Sequence, residues 1–565
     1  MATLFSNATL LPMCGEGART FTGSVGVAGN RIALVTSDEG AVAQFRAAHP
    51  GLREIDCRGR LVMPGLVNTH CHAAMTLQRS YADDIPLMRW LNDHIWPFEA
   101  CQTPDEVALG MELGIVEMLL GGVTSFVDMY YFQDRCVEVA ERLGIRALLG
   151  CNYFDSNFDE VAGQVGEAVR RAAASSRVRI AVAPHAPYTV SPENLVRGRE
   201  LAERYGLMLM THAAETRDEV RIVRERFGRT PVEHLDSLGM LGPKTILAHC
   251  VHVTDGDVAT LARSGVTVSH NPQSNMKISS GVAPVAQMLR AGVTVTVATD
   301  GPCSNNDLDM WEELRTAAFL QKSATGDPCA LPAWETLRLA TANGARAMGC
   351  AEGELGVLRK GALADLIVVD LRKPHLQPLH DVVSNLVYCG KASDVDTVVV
   401  DGRIVVVAQR HPRIEEIDVL VLFEQALHPR FGRSAFVVLE LADLVVEIAA
   451  FAHLGLQEDQ RRRGMCGADR RYEGFETLLD LLCRRVGEAV EEEGVGLARC
   501  GYMGEELFHL ALAAGAQIDE LEARRTFELC RIGHARTAES RTVGDARTDH
   551  HDPVAEGIGC GFDAG

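Results

Sequence analysis

No C-x-x-C pair occurs in this 565-residue chain, although its 16 cysteines run from Cys14 to Cys560. That scatter speaks against a disulfide framework and for a reducing compartment. No apolar stretch is long enough to span a membrane. The most apolar window, Phe436 to Phe451, carries Glu440, Asp443 and Glu447 at the spacing of an amphipathic helix. The first residues, MATLFSNATLLPMCGEG, place no basic segment ahead of their short apolar stretch, which predicts no signal peptide and a cytoplasmic protein. Positive charge is also in short supply. With 55 Lys and Arg against 76 Asp and Glu, the net charge of -21 argues against a nucleic-acid polymer as partner. Neither a GxxxxGK[ST] loop nor a Rossmann glycine pattern is present, so phosphoryl and hydride transfer lose their usual supports. What is there, 47% hydrophobic and 23% charged residues, is the composition of a soluble globular protein, with length for two or three domains.

Between Leu61 and Met348, short β-branched apolar runs alternate with helical patterns such as Thr103 to Leu120 and Asp255 to Ser264. Eight runs can be counted: LVMPGLVNTHCH, VTSFVDMY, IRALLGCN, RIAVAPHAP, LMLMTHAAE, TILAHCVH, VTVSHNPQS and VTVTVATDG. Eight such repeats predict an α/β fold, a (β/α)8 TIM barrel over residues 61–350, with the polar end of every strand on one rim. The strand-rich segments 1–60 and 351–409 are expected to pair as one small composite β-sandwich domain, since an isolated hairpin buries too little to be stable. From Arg413 the pattern turns helical and rich in Glu, Arg and Leu, predicting an appended helical region over 413–530. The tail 531–565, with its solvated His550-His551 pair, reads as disordered.

The strand ends carry the chemistry. His70 and His72, two apart on a strand, point to the same face, a geometry suited to one cation, although taken alone such a pair is more often simple polar packing at a strand end. The other ends add His212 and Glu215 (THAAE), His249 (LAHCVH) and Asp300 (ATDG), so one rim collects imidazoles and carboxylates. The simplest assignment is one Zn²⁺ held by His70, His72, His212 and Asp300, with an open position for water. Asp300 is also placed to accept that water's proton, Glu215 to move it to a ring nitrogen or leaving group, and His249 to orient the nucleophile or polarise the attacked centre. The fourth run ends APHAP rather than in a bridging acid or lysine. This favours a single metal and leaves His185 as a substrate contact or a structural rim histidine.

The stretches LVMPGLVNTHCHAAMTLQRSYADDIPLMRWL, THAAET, LAHCVH, SHNPQSNMKISSG and ATDGPCSNNDLDMWEELRTAAFLQK, in this order, resemble the 5′-methylthioadenosine/S-adenosylhomocysteine deaminases of the amidohydrolase superfamily over residues 1–409. The resemblance implies a distorted barrel with a composite β-domain, one zinc, and hydrolysis of the adenine 6-amino group of a small-molecule nucleoside to an inosine-type product and ammonia. Carried onto this chain, it implies His70, His72, His212 and Asp300 as zinc ligands, Glu215 and His249 as proton-handling residues, Glu99 (in HIWPFEA) as the acceptor of the ribose hydroxyls, and His185 as a substrate contact.

One position departs from that pattern. Where some relatives carry an arginine that meets the homocysteine carboxylate, this chain reads RALLGC, and Cys151 cannot form that ion pair. The expectation is a preference for methylthioadenosine or adenosine over S-adenosylhomocysteine. Two other readings stand beside the deaminase: a related hydrolase acting on guanine, a pterin or an s-triazine, and a catalytically inactive assembly or binding protein. No membrane partner is expected, and a homo-oligomer is.

Overall fold

Strands buried on both faces show no alternation of polar and apolar residues, which is why the barrel strands read as unbroken apolar runs. The computed structural model describes residues 2–15, 17 and 19–408, within the first of two compact units of the chain. The helical patterns expected over 413–530 and the tail at 531–565 lie outside the described residues. The first five strands are β1 (Ala2–Leu10), β2 (Phe21–Ala28), β3 (Arg31–Thr36), β4 (Arg53–Asp56) and β5 (Arg60–Pro64). Then come β6 (Leu66–Cys71), β7 (Val123–Tyr130), β8 (Arg146–Tyr153), β9 (Val178–Pro184), β10 (Met208–Ala213), β11 (Thr245–His249), β12 (Thr267–His270) and β13 (Thr294–Val297). These eight are parallel to one another and neighbours in sequence order, as a (β/α)8 barrel requires. Val67, Val127, Leu148, Ala181, Met210 and Ile246, from six successive strands, belong to one buried apolar cluster.

Helices occupy the crossovers. Pro104–Leu120 follows β6 and begins where sequence periodicity places it, because Thr103 and Glu106 form a capping box: Glu106 N–H donates to Thr103 Oγ1 at 3.3 Å and Thr103 N–H to Glu106 Oε2 at 2.7 Å. Asp255–Ser264 starts from the same device, built by Thr254 and Asp257.

The barrel is distorted at its seam. β6 and β13 end the strand order and are stitched by Asn68 Nδ2 donating to Thr299 Oγ1 (2.8 Å), Thr299 N–H to Asn68 Oδ1 (3.2 Å) and Asp300 N–H to His70 O (3.0 Å). The last of these lays Asp300 beside His70.

The remaining strands, β14 (Leu366–Asp370), β15 (Val395–Val400) and β16 (Arg403–Val407), join β1 to β5 in a second, mixed sheet of eight strands. β5 is the hinge of this sheet, parallel to β1 and antiparallel to β14, so residues from both ends of the described chain share it. The run LVMPGLVNTHCH therefore divides. Leu61 to Pro64 belong to the β-domain and Leu66 onward to the barrel. The change falls at Gly65, where a Cβ would lie 2.1 Å from the Thr124 side chain. Both halves are fully buried, so hydrophobicity carries no mark of the switch.

The two parts are locked by a buried ion pair. Arg146, at the start of β8, donates from Nε to Asp365 Oδ2 (2.7 Å) and from Nη2 to Asp365 Oδ1 (3.0 Å), and reaches Asp401 Oδ1 at 3.3 Å. Both side chains of the main pair are almost inaccessible, at 4% and 0% exposure. Arg146→Ala strands a buried carboxylate and is expected to cost about 3–5 kcal/mol, measured as a fall in the urea midpoint. Among the described residues no disulfide joins any of the eleven cysteines, and no helix is long and apolar enough to cross a membrane.

Candidate active site

Parallel strands in sequential order bring every C-terminal strand end to one rim, and the sequence has put its imidazoles and carboxylates there. His70 lies within β6 and His72 just past it, His212 within β10, Glu215 beyond β10, His249 at the end of β11 and Asp300 beyond β13. The nearest ring nitrogens and carboxylate oxygen of His70, His72 and Asp300 lie within 4.8 Å of one another, as do ring nitrogens of His70, His212 and His249. Asp300 Oδ1 stands 3.3 Å from His70 Nε2 and 3.2 Å from His72 Nε2.

The backbone sets which nitrogen faces inward. His72 Nδ1 lies 2.5 Å from Met129 O, and His212 Nδ1 lies 2.9 Å from His185 O. A carbonyl can only accept, so both Nδ1 atoms carry the proton and both rings turn Nε2 to the centre; burial opposes the charged form of His72, but Asp300 beside it outweighs burial and raises that ring to about 9. His70 Nε2 is buried and makes no hydrogen bond. Burial lowers His70 to about 4 and takes His212 well below the ordinary imidazole value, which keeps both rings neutral and able to ligate. Burial opposes the charged form of Asp300, but the adjoining His70 and His72 rings outweigh it and hold the carboxyl well below its usual range. Its other oxygen, Oδ2, accepts from Ser274 Oγ (2.6 Å) and Ser304 Oγ (3.1 Å), which leaves Oδ1 for the centre.

Three rim positions are strained. Ala214, His249 and Asp300 have φ of 53°, 74° and 64°, a region that costs non-glycine residues about 1–2 kcal/mol. Each such turn swings a side chain into the mouth of the barrel. Glu215 Oε2 then lies 4.0 Å from His249 Nε2, and His249 Nδ1 lies 2.9 Å from Asn275 Oδ1. Burial raises the Glu215 carboxyl above its ordinary value, so the protonated form is easier to reach.

His72, Glu99, His185, His212, Glu215, His249 and Asp300 all line one cavity. Phe154 stacks on the His185 ring with centroids 4.4 Å apart, and Thr189 Oγ1 lies 2.8 Å from its Nδ1, so His185 faces the cavity with Nε2. Glu99 closes a short helix, Trp96–Glu99, that follows a π-helical turn over Leu91–Ile95. Burial pushes its carboxyl up to about 7, and Tyr131 Oη donates to Oε2 at 3.3 Å. Beyond Glu99 and Tyr131 lies a second chamber of about 700 Å³, whose wall includes Cys151 and the carboxylates of Asp134, Asp155 and Glu160 but no Lys, Arg or His among the described residues. Burial pushes the Cys151 thiol up to about 12, so it is uncharged.

Several residues that sequence reading left unassigned brace this arrangement. Ser274, Asn275 and Ser304 sit inside the quoted SHNPQSN and ATDGPCSNN stretches, but hydroxyls and amides are so common in loops that nothing singled them out. Asp128 accepts from Ala73 N–H (2.7 Å) and Gln133 Nε2 (2.7 Å), fixing the chain as it leaves His72. Glu219 accepts from Ala214 N–H (2.8 Å) and Glu215 N–H (2.7 Å). Asp128 lies near the end of the apolar run VTSFVDMY, and its signal there is a carboxylate within a fully buried strand.

The Amidohydrolase family profile matches residues 61–405. A 5-methylthioadenosine/S-adenosylhomocysteine deaminase of Pelotomaculum thermopropionicum is 44% identical over 418 residues, which cover 73% of this chain and 95% of that protein. A 5′-deoxyadenosine deaminase of Methanothermobacter thermautotrophicus is 44% identical over 412 residues, 72% of this chain and 94% of that protein. Among solved structures, an adenosine deaminase from Xanthomonas campestris with bound zinc superposes with a TM-score of 0.70 at 36% identity, covering 75% of this chain and 96% of that one. With the family profile spanning more than half the sequence and these relatives matched over nearly their full length, the chain belongs to the amidohydrolase family, in the group of 5-methylthioadenosine/S-adenosylhomocysteine and 5′-deoxyadenosine deaminases.

Proposed function

We propose that this protein is a zinc-dependent deaminase of adenine nucleosides, releasing ammonia from the purine 6-position, and that it works in the cytoplasm as a homo-oligomer. The observation that carries the reading is the convergence of buried imidazoles and one ionised carboxylate at the barrel rim. His70, His72, His212 and Asp300 would hold the metal. The orphaned His70 Nε2 and the inward-facing Nε2 atoms of His72 and His212 fit that demand. Zinc bound there supplies a water of lowered pKa as nucleophile.

The chain's own groups do the rest. Asp300 Oδ1, with Oδ2 occupied by two serine hydroxyls, takes a proton. Glu215, raised by burial and 4.0 Å from His249, delivers one to the purine ring nitrogen and then to the departing amine. His249 Nε2 polarises the attacked carbon's surroundings while Asn275 fixes its ring. Glu99 accepts the ribose hydroxyls and His185 packs against the sugar or base. A free base such as guanine offers Glu99 no vicinal diol, which favours the nucleoside over the base, pterin or triazine. A binding protein without catalysis has no need of the complete donor set.

The second chamber supports a preference for nucleosides with uncharged 5′ groups: 5′-methylthioadenosine, 5′-deoxyadenosine or adenosine. A carboxylate entering it meets Asp134, Asp155 and Glu160 and finds, among the described residues, no cation in place of the arginine that Cys151 replaces. Losing a charge-assisted contact costs about 1.5–3 kcal/mol, or about ten- to a hundredfold in kcat/KM. A panel of nucleosides and bases on zinc-loaded protein tests both levels. S-adenosylhomocysteine is expected to trail methylthioadenosine by that factor, and equal or better turnover removes the preference. No ammonia from any purine, together with no bound zinc after supplementation, removes the deaminase reading itself.

A further inference from the structure

The carboxylate of Glu219 is 1% exposed, pairs with no Lys or Arg among the described residues, and lies outside the cavity lining. Burying an acid without a cation is costly unless its lone pairs are otherwise satisfied. Here both oxygens are spent on one short stretch of backbone: Oε1 accepts the Ala214 N–H at 2.8 Å and Oε2 the Glu215 N–H at 2.7 Å. That stretch is the left-handed turn at Ala214, with φ of 53°, which aims the next side chain, Glu215, at the cavity.

The turn is held from the other side as well, since Ala214 O accepts from Val251 N–H (3.0 Å) and His252 N–H (2.8 Å) just after His249. Glu219 is itself fixed, one turn into the helix Arg217–Phe227, by the Thr216 N-cap that receives its N–H at 3.2 Å. Without an acceptor for its two amides, the turn would keep only the bonds to Ala214 O against the cost of a region that L-residues avoid.

We propose that Glu219 is the positioning residue for Glu215, a two-pronged clamp that holds the proton carrier's backbone in its strained conformation without touching the substrate. The proposal rests on Glu215 being that carrier. A glutamine at this position is nearly isosteric but presents one acceptor and one donor, so one backbone N–H loses its partner and faces an NH2 group instead.

Glu219→Gln is expected to lower kcat on methylthioadenosine by about 10- to 100-fold, the scale of losing an outer-shell partner. KM and zinc content should stay close to those of the parent protein. Two further readouts separate positioning from general damage. In a Glu215→Gln background, Glu219→Gln should cost nothing more, because the clamp then holds a residue that no longer acts; losses that multiply would mark a structural role and overturn the proposal. Hydrogen exchange of the peptide spanning 213–219 should quicken in Glu219→Gln, and unchanged protection overturns the proposal without reference to activity. Should the glutamine variant fail to fold, Glu219→Asp, which keeps the charge but falls short of both amides, carries the same expectations. Unchanged turnover in Glu215→Gln removes the role of Glu215 and this proposal with it, whereas unchanged turnover in Glu219→Gln alone removes only the clamp.

Discussion

Glu215→Gln is expected to reduce kcat on 5′-methylthioadenosine by two or more orders of magnitude while the protein keeps its zinc. The side chain lines the cavity, 4.0 Å from His249 Nε2, and is not one of the four groups assigned to the metal. Glutamine preserves its length and shape and removes only the capacity to carry a proton. General acid-base catalysis is worth about 10²–10⁴ in rate, and burial has already biased this carboxyl toward the protonated form it needs as a donor. The loss should fall on kcat and kcat/KM together, the pattern of an interaction made in the transition state rather than in substrate binding. Steady-state kinetics paired with metal analysis check it. Turnover within a few-fold of the parent protein, at equal zinc content, would take Glu215 out of the mechanism and move attention to Asp300 as the sole proton carrier.

How much of this was readable in the chain differs by layer. The barrel was legible because β7 to β13 are short apolar runs ending in polar groups, and because capping boxes such as Thr103 with Glu106 and Thr254 with Asp257 mark helix starts. The switch of sheets at Gly65 was not. Period and hydrophobicity are the same on both sides of it, and only the Thr124 side chain pressed against that glycine explains the break. At the site, the residue types that bind metals announce themselves at strand ends, so His70, His72, His212, Glu215, His249 and Asp300 could be gathered from sequence. What holds them could not. His185 acts on His212 through a carbonyl, as Met129 does on His72, and no side-chain pattern encodes a carbonyl's direction. The left-handed turns at Ala214, His249 and Asp300 carry no glycine to betray them. That the second chamber holds no cation among the described residues likewise emerges only when Asp134, Cys151 and Glu160, carried by a helix, a strand and the next α-helix, share a wall.

His70→Ala is expected to abolish zinc binding, and activity with it, in a protein that still folds. His70 is 1% exposed, and its Nε2 is the buried nitrogen that makes no hydrogen bond. Alanine removes one of the four donors assigned to the ion, and with it a direct ligand bond from the ring at the centre of the cluster. The effect should exceed the roughly 10- to 100-fold cost of disturbing a group that only supports a ligand. Folding should survive because the imidazole contributes no hydrogen bond through Nε2, while the seam bond from Asp300 N–H to His70 O uses the backbone and is untouched by the substitution. Metal analysis is the direct check, and thermal unfolding supplies one that needs no substrate. A ligand present at about a hundred times its dissociation constant stabilises the folded state by about 2.7 kcal/mol, so added zinc should raise the Tm of the parent protein and leave that of His70→Ala where it was. Equal zinc-induced shifts in the two proteins would mean that the ion is held elsewhere. The assignment of the rim cluster as the metal centre would then fail even if deamination persisted.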